Sequence, residues 1–100
     1  MAEKTIIWSK NAKSTFLNIL QFFTERNGSS TYSLKLLNKT DDILKKLCRN
    51  EFIGRPTTNS KTRFIRMDVY LIFYEIKENS IEIVSFWDNR QDDKKLEYKI

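Results

Sequence analysis

The chain has 100 residues, of which 40% are hydrophobic and 31% charged; this composition excludes a disordered or fibrous protein and predicts one domain over residues 1–100 with one modest core. One cysteine, Cys48, and the lack of histidine exclude an intramolecular disulfide, a conventional zinc site and the familiar histidine-dependent hydrolases, so neither a metal ion nor another cofactor is expected. The formal net charge is +5, and a basic surface attracts polyanions, which favours a nucleic acid or an acidic protein segment as partner.

The first two predicted elements are a strand and a helix. Thr5 to Trp8 is a β-branched and aromatic run typical of a strand, and Ser9 after it is a good N-cap residue. Apolar residues then recur at helical spacing until Asn27-Gly28, a dipeptide typical of a helix C-terminus. The expected apolar face of this helix consists of Ala12, Phe16, Ile19, Leu20 and Phe23.

A second helix is predicted from the capping residues 29–31 to Cys48. Because the connection between the two helices is short, they are expected to pair antiparallel. Cys48 is interpreted as a small core residue rather than a reactive thiol. The predicted apolar face is made of Leu34, Leu37, Leu44 and Cys48, widened by Ile43 and Leu47.

The second half of the chain predicts an antiparallel meander after a surface loop over residues 50–60. The central strand of this meander is apolar on both faces and is therefore expected to be the most covered. The strands are predicted over residues 63–67, 69–76 and 80–87, with turns at Asp68 and at 77–79.

The order of these elements, β-α-α-β-β-β, indicates an α+β fold. In this fold an antiparallel helical hairpin packs on a small, mostly antiparallel four-stranded sheet. Residues 89–100 mix both charges and predict either a short helix or an extended arm. The longest apolar run, Val69 to Tyr74, is too short to cross a bilayer, and no apolar signal region follows residues 1–4, so a cytoplasmic protein without membrane contact is expected.

The positive charge is concentrated in one segment. From Lys45 to Arg66 the chain carries seven basic residues and a single acidic one, Glu51. If these cations share a surface they form a docking site for phosphate groups; otherwise they are a solvated helix face followed by a basic strand. Charge alone leaves both interpretations open.

Catalysis without histidine would depend on arginine, lysine, tyrosine and carboxylates. Such a set can stabilise a phosphorane, but none of these groups has an ordinary pKa near neutrality. Cleavage of RNA through a 2′-hydroxyl would require neighbouring cations to lower the pKa of a lysine or tyrosine. The adjacent carboxylates Asp41-Asp42 and Asp92-Asp93 are interpreted as solvated charges.

Several segments occur in a characteristic order and spacing: Ile7-Trp8-Ser9 followed by Ala12, Arg63 to Arg66, Val69 to Ile76, Ile81-Glu82-Ile83, and Trp87-Asp88-Asn89-Arg90-Gln91. In this order they resemble the RelE/ParE toxin superfamily over nearly the whole chain. The resemblance implies the toxin of a type II toxin–antitoxin module, a system of growth arrest and plasmid stabilization. It also implies a cognate antitoxin whose C-terminal segment wraps over the helices and sheet.

Members of this superfamily differ in target. RelE-like members cut mRNA on the ribosome, and they carry an arginine directly after the tyrosine that Tyr70 matches. Here that position is Leu71, so the resemblance favours a ParE-like toxin that binds and inhibits DNA gyrase. The alternatives are a RelE-like ribosome-dependent mRNA endoribonuclease and a non-toxic basic nucleic-acid-binding module.

Candidate site residues follow from the resemblance and from the charge pattern. If the chain is an endoribonuclease, the expected catalytic residues are Arg63, Arg66, Arg90 and Tyr98. Binding of nucleic acid or of a target protein is predicted for Lys61, Arg63, Arg66, Arg90, Lys94 and Lys95. Antitoxin binding is predicted for Leu17, Phe22 and Leu36, which lie off the main apolar stripes. Exposed apolar residues there would suit an antitoxin groove, but a second contact with the core explains these residues equally well.

Each candidate also has a purely structural interpretation. Arg63 and Arg66 would be ordinary exposed strand residues. Arg90 would neutralise Asp88 or Asp92, and Tyr98 would pack against the sheet. The other large aromatic residues interpreted as core are Trp8, Tyr70, Tyr74 and Trp87.

Overall fold

The computed structural model describes residues 4–90. The prediction of a short helix or arm over 89–100 therefore falls, from residue 91 onward, outside the described residues. Neither helix within 4–90 is both long and apolar enough to span a membrane. In chain order the elements are β1 (Thr5–Trp8), α1 (Lys10–Asn27), α2 (Thr31–Arg49), β2 (Arg55–Pro56), β3 (Thr62–Met67), β4 (Tyr70–Ile76) and β5 (Ser80–Asp88).

The strands form one five-stranded sheet in the order β1-β5-β4-β3-β2. β3, β4 and β5 are the predicted antiparallel meander, and β1 lies parallel to β5 with Thr5 opposite Ser80. The predicted α+β fold, a helical hairpin on a mostly antiparallel sheet, is confirmed. The sheet has one strand more than predicted, because β2 is only two residues long and too short to show a hydrophobic period.

Helix α1 begins and ends where its caps predict. Ser9 Oγ accepts a hydrogen bond from the Ala12 amide at 3.1 Å, and Gly28 ends the helix in the left-handed conformation with φ 67°. The Ser9 hydroxyl also donates to the Val84 oxygen at 3.3 Å, which ties the start of α1 to β5. Phe16 stacks on Trp8 with ring centroids 5.1 Å apart, so α1 covers the β1–β5 side of the sheet.

Helix α2 is rotated relative to the prediction. Leu34 and Leu37, predicted to be core, are 53% and 41% exposed, so that part of the predicted face is wrong. The physical reason is that two polar residues occupy the buried stripe: Ser33 Oγ donates to the Leu20 oxygen at 2.7 Å, and Thr40 Oγ1 donates to a carbonyl of its own helix. Since these hydroxyls are satisfied, they can be buried. The buried residues of α2 are Ser33, Leu36, Thr40, Leu44 and Leu47.

The two faces of the sheet carry different clusters. The face that bears the helices is lined by Tyr70, Ile72 and Tyr74 of β4 and by Ile81, Ile83 and Phe86 of β5. The opposite face, called the second face below, is lined by Phe64, Leu71 and Phe73, with Val84 and Trp87 partly buried beside them. Every residue from Tyr70 to Tyr74 is buried, which confirms that β4 is the most covered strand.

We expect Leu47→Ala to lower the free energy of unfolding by about 2–5 kcal/mol, because Leu47 is completely buried and its truncation leaves a cavity. Leu34→Ala is the matched control on the same helix, and its effect should stay within about 0.5 kcal/mol since Leu34 is exposed. Urea denaturation followed by circular dichroism measures both values. Equal losses in the two variants would contradict the observed rotation of α2.

Candidate functional site

The second face of the sheet contains an open cleft of about 410 Å³. Arg66 belongs to this face because it lies two residues from Phe64, and side chains of a strand alternate between faces. Arg55 enters the cleft from β2, where it is paired with Phe64. This cationic cleft is lined by Ile53, Gly54, Arg55, Phe64, Ile65, Arg66, Leu71 and Asn89.

The two arginine side chains of the cationic cleft are exposed. Arg66 Nε donates to the backbone oxygen of Asp68 at 3.1 Å, whereas the Asp68 carboxylate accepts from Lys39 Nζ at 2.6 Å. Among residues 4–90, no carboxylate is paired with Arg55 or Arg66. The two guanidinium groups lie above apolar side chains. They are therefore accessible to an anionic group of a ligand.

The hydroxyl of Tyr74 fixes the segment that brings Arg55 to the cleft. Tyr74 Oη accepts from the Gly54 amide at 3.0 Å and donates to the Glu51 oxygen at 2.8 Å. Arg63 Nε donates to the Gly54 oxygen at 3.1 Å, and Lys4 Nζ lies 2.8 Å from the Glu51 carboxylate. These four interactions hold residues 51–54 against the end of the sheet.

Gly54 is required by space rather than by a left-handed backbone. A Cβ atom added there would lie 2.7 Å from the backbone oxygen of Phe64 and closer still to Tyr74 Oη. The Phe64 oxygen is part of the sheet, so it cannot move aside cheaply. Only glycine therefore lets the chain pass between Tyr74 and β3 to start β2.

The buried tyrosines are unsuited to act as general bases at neutral pH. Burial raises the pKa of Tyr70 and also that of Tyr74, although the Gly54 amide opposes the change at Tyr74. A tyrosine with a raised pKa stays protonated at neutral pH and cannot act as a general base. Hydrogen bonds to a neighbouring aspartate and glutamate likewise raise the pKa values of Lys45 and Lys77. A metal site is not formed either: among the described residues, no three metal-binding side chains lie close enough together to hold an ion.

Arg63, predicted to share a site with Arg66, lies on the other face of β3. It is half-buried, and its guanidinium carbon lies 5.3 Å from the ring centroid of Phe52. Lys61 is exposed and lies near Arg63 at the start of β3. The structure thus separates Arg63 and Lys61 from the cationic cleft. For Arg63 and Arg66 this separation follows from their spacing of three residues, which places them on opposite faces of a strand.

Arg90, the predicted strand-end arginine, is paired with Asp88. Its Nε and Nη2 atoms donate to the two carboxylate oxygens at 3.0 and 2.7 Å, and its amide donates to Asp88 Oδ1 at 2.9 Å. This pairing lowers the pKa of Asp88 and raises that of Arg90. The contacts of Arg90 are therefore those of its structural interpretation, in which it neutralises Asp88. The other predicted residues near this end of the chain, Lys94, Lys95 and Tyr98, lie outside the described residues.

The residues predicted to bind an antitoxin differ in exposure. Leu17 and Phe22 are exposed, whereas Leu36 is only 4% exposed and lies in the core, so the alternative of a core contact describes Leu36. The rotation of α2 explains this burial, and it places Leu37 at the surface instead. Leu17 and Leu37 line a cleft of about 180 Å³ between the two helices.

A family model identifies the family of this chain, and two solved structures share its fold. Residues 6–93 match the family model described as the ParE toxin of type II toxin-antitoxin system, parDE. A chain of the chromosomal ParDE TA system from P. aeruginosa has a similar structure, with a TM-score of 0.70 and 18% identity over 84% of this chain and 94% of that one. The YoeB dimer from Staphylococcus aureus is similar with a TM-score of 0.58, 18% identity and the same coverage of both chains. Among curated proteins, no sequence matches significantly.

We expect Gly54→Ala to lower the free energy of unfolding by about 1–3 kcal/mol, because the added methyl group collides with the Phe64 oxygen and Tyr74 Oη. Thr58→Ala is the control in the same loop; Thr58 is exposed, so the change should be within about 0.5 kcal/mol. Chemical denaturation of both variants gives the comparison. An unchanged stability in Gly54→Ala would show that residues 51–54 are not held against the sheet.

Proposed function

The chain belongs to the ParE toxin family of type II toxin–antitoxin systems, and we propose that it arrests growth by binding DNA gyrase and inhibiting it. In this proposal the chain is a binding protein and not a nuclease. The observation that carries the proposal is the make-up of the cationic cleft, which joins two exposed guanidinium groups to apolar side chains.

The side chains of the cationic cleft can bind an anion but cannot exchange a proton with it. Within residues 4–90 its polar side chains are those of Arg55, Arg66 and Asn89, and none of these described lining residues is a carboxylate, lysine or tyrosine. Arginine remains protonated in proteins, and an amide does not titrate, so neither can remove the proton of a 2′-hydroxyl. This supports recognition of an acidic surface or a DNA phosphate in the gyrase complex rather than cleavage of RNA.

An antitoxin is the partner that the ParE family implies. We propose that it contacts the outer surface of the helical hairpin, where Leu17, Phe22 and Leu37 are exposed. These residues lie on the helices, whereas the cationic cleft lies on the second face of the sheet. An antitoxin segment bound to the hairpin would therefore not cover the cationic cleft. The cleft would remain open to another part of the antitoxin or to the target.

A ribosome-dependent mRNA endoribonuclease is the second candidate, because Arg55 and Arg66 could stabilise the charge of a phosphorane in the cationic cleft. A base would then have to come from a group other than the described lining residues of the cleft. Arg90, expected to take part in this reaction, would also have to leave Asp88.

The test of gyrase inhibition is a supercoiling assay with relaxed plasmid, ATP and the purified chain. We expect loss of supercoiling together with cleaved DNA trapped on the enzyme. The double variant Arg55→Ala/Arg66→Ala should need a roughly tenfold or higher concentration than the parent chain to inhibit supercoiling to the same extent. The reason is that hydrogen bonds to charged groups contribute about 1.5–3 kcal/mol each. Lys10→Ala/Lys35→Ala, which removes the same charge from the exposed helix surface, should behave as the parent.

Two results would contradict this proposal. One is unchanged supercoiling at toxin concentrations that arrest growth. The other is cleavage of ribosome-bound mRNA by the purified chain, with loss of cleavage in Arg66→Ala and Arg90→Ala, which would favour the endoribonuclease.

A further inference from the structure

Phe52 is an exposed aromatic residue on a fixed backbone. Its side chain is 62% exposed, although large apolar residues are usually covered. The residues on either side do not move freely, because Tyr74 Oη binds the backbone of Glu51 and Gly54 and the Ile53 amide donates to the Asn50 oxygen at 3.3 Å. The backbone that carries the exposed ring is therefore held in place on both sides.

One side of the Phe52 ring is occupied by a cation. The guanidinium carbon of Arg63 lies over the ring, 5.3 Å from its centroid, in the geometry of a cation–π interaction. Arg63 itself is anchored, since its Nε atom donates to the Gly54 oxygen. The guanidinium can cover one face of the ring, and the large exposed area indicates that much of the remainder is accessible.

The surroundings of Phe52 are basic. The ring lies beside a depression of about 350 Å³, and three cations line it with one acid. The acid, Glu75, is already occupied: it accepts from Lys77 Nζ at 3.0 Å and from Thr62 Oγ1 at 3.1 Å. Lys61 is exposed at the rim, and no carboxylate within residues 4–90 is paired with it. The residues that line the depression are Phe52, Ser60, Lys61, Arg63, Glu75, Ile76 and Lys77.

We propose that Phe52 is a stacking platform for a base of a single-stranded nucleic acid, with Lys61 contacting a flanking phosphate and Arg63 adding positive charge. Aromatic rings beside cations bind single strands in this way, because every base offers a π-face and every nucleotide a phosphate. In a duplex the base faces are already stacked and closed to Phe52. An apolar protein partner fits less well, because the rim of the depression is charged.

This inference does not depend on gyrase being the target. Binding of a free oligonucleotide can be measured on the purified chain alone, whereas the supercoiling assay tests the proposed function. The residues also differ, since Phe52 and Lys61 do not line the cationic cleft.

The experiment measures fluorescence anisotropy of a labelled single strand of about 12 nucleotides, within the usual site size of such surfaces. DNA and RNA versions and a duplex of the same sequence are compared at low salt. We expect Phe52→Ala to weaken single-strand binding by roughly 5- to 100-fold, the range that corresponds to loss of one stacked base. Phe52→Trp should retain binding or strengthen it, because indole also stacks.

Tyr32→Ala is the control. Tyr32 is also an exposed aromatic residue, at 41%, and its ring centroid lies 4.7 Å from that of Phe23 on the helical hairpin. It does not line the depression beside Phe52. The affinity of Tyr32→Ala for the oligonucleotide should equal that of the parent chain. Circular dichroism checks that each variant is folded.

The salt dependence tests the role of Lys61 separately. Lys61→Ala should reduce the slope of log affinity against log salt concentration by about 0.7, the value for one phosphate contact in a single strand. Single-strand binding that is equal in Phe52→Ala and the parent, equal loss in Tyr32→Ala and Phe52→Ala, or tighter binding of the duplex would each overturn the proposal. Absence of oligonucleotide binding by the parent chain would overturn it as well and would favour a protein partner for Phe52.

Discussion

The hydroxyl group of Tyr74 is the constraint on which the basic surfaces of this protein depend. It lies on the most buried strand and accepts from Gly54 while donating to Glu51, so it organises a segment that precedes it by about twenty residues. From this segment the chain enters β2 and carries Arg55 to the second face of the sheet. The same segment presents Phe52 to solvent on the side of Arg63. One buried phenol thus positions residues of both basic sites.

The distribution of charge is the basis of the binding function that we propose. The arginines of the basic segment do not form one cluster: Arg66 lies in the cationic cleft with Arg55, Arg63 supports residues 51–54, and the later Arg90 is held by Asp88. The toxin family assignment therefore rests on the match over residues 6–93 and not on a gathered set of arginines. What the described residues offer is guanidinium groups and a rigid aromatic ring, a surface suited to anions and flat bases.

The sequence predicted the elements well where local chemistry decides them. Helix α1 begins after Ser9 and ends at Gly28, the two predicted caps, and the apolar run of β4 correctly predicted the most covered strand. The rotation of α2 could not be predicted, because burial of Ser33 and Thr40 depends on carbonyl partners that only the packed helices supply. Arg55 was missed for a similar reason: its place beside Arg66 is set by a tyrosine far away in the chain. The separation of Arg63 from Arg66, by contrast, was readable from the alternation of a strand.

Amide hydrogen exchange at Gly54 tests the central claim most directly, in the parent chain and in Tyr74→Phe. This variant removes only the hydroxyl group. We predict that the Gly54 amide is protected in the parent chain and exchanges at the rate of an exposed loop in the variant, while the amides of β4, such as that of Ile72, remain protected in both. Equal exchange of the Gly54 amide in the two proteins would contradict the account, because residues 51–54 would then be held in place without Tyr74.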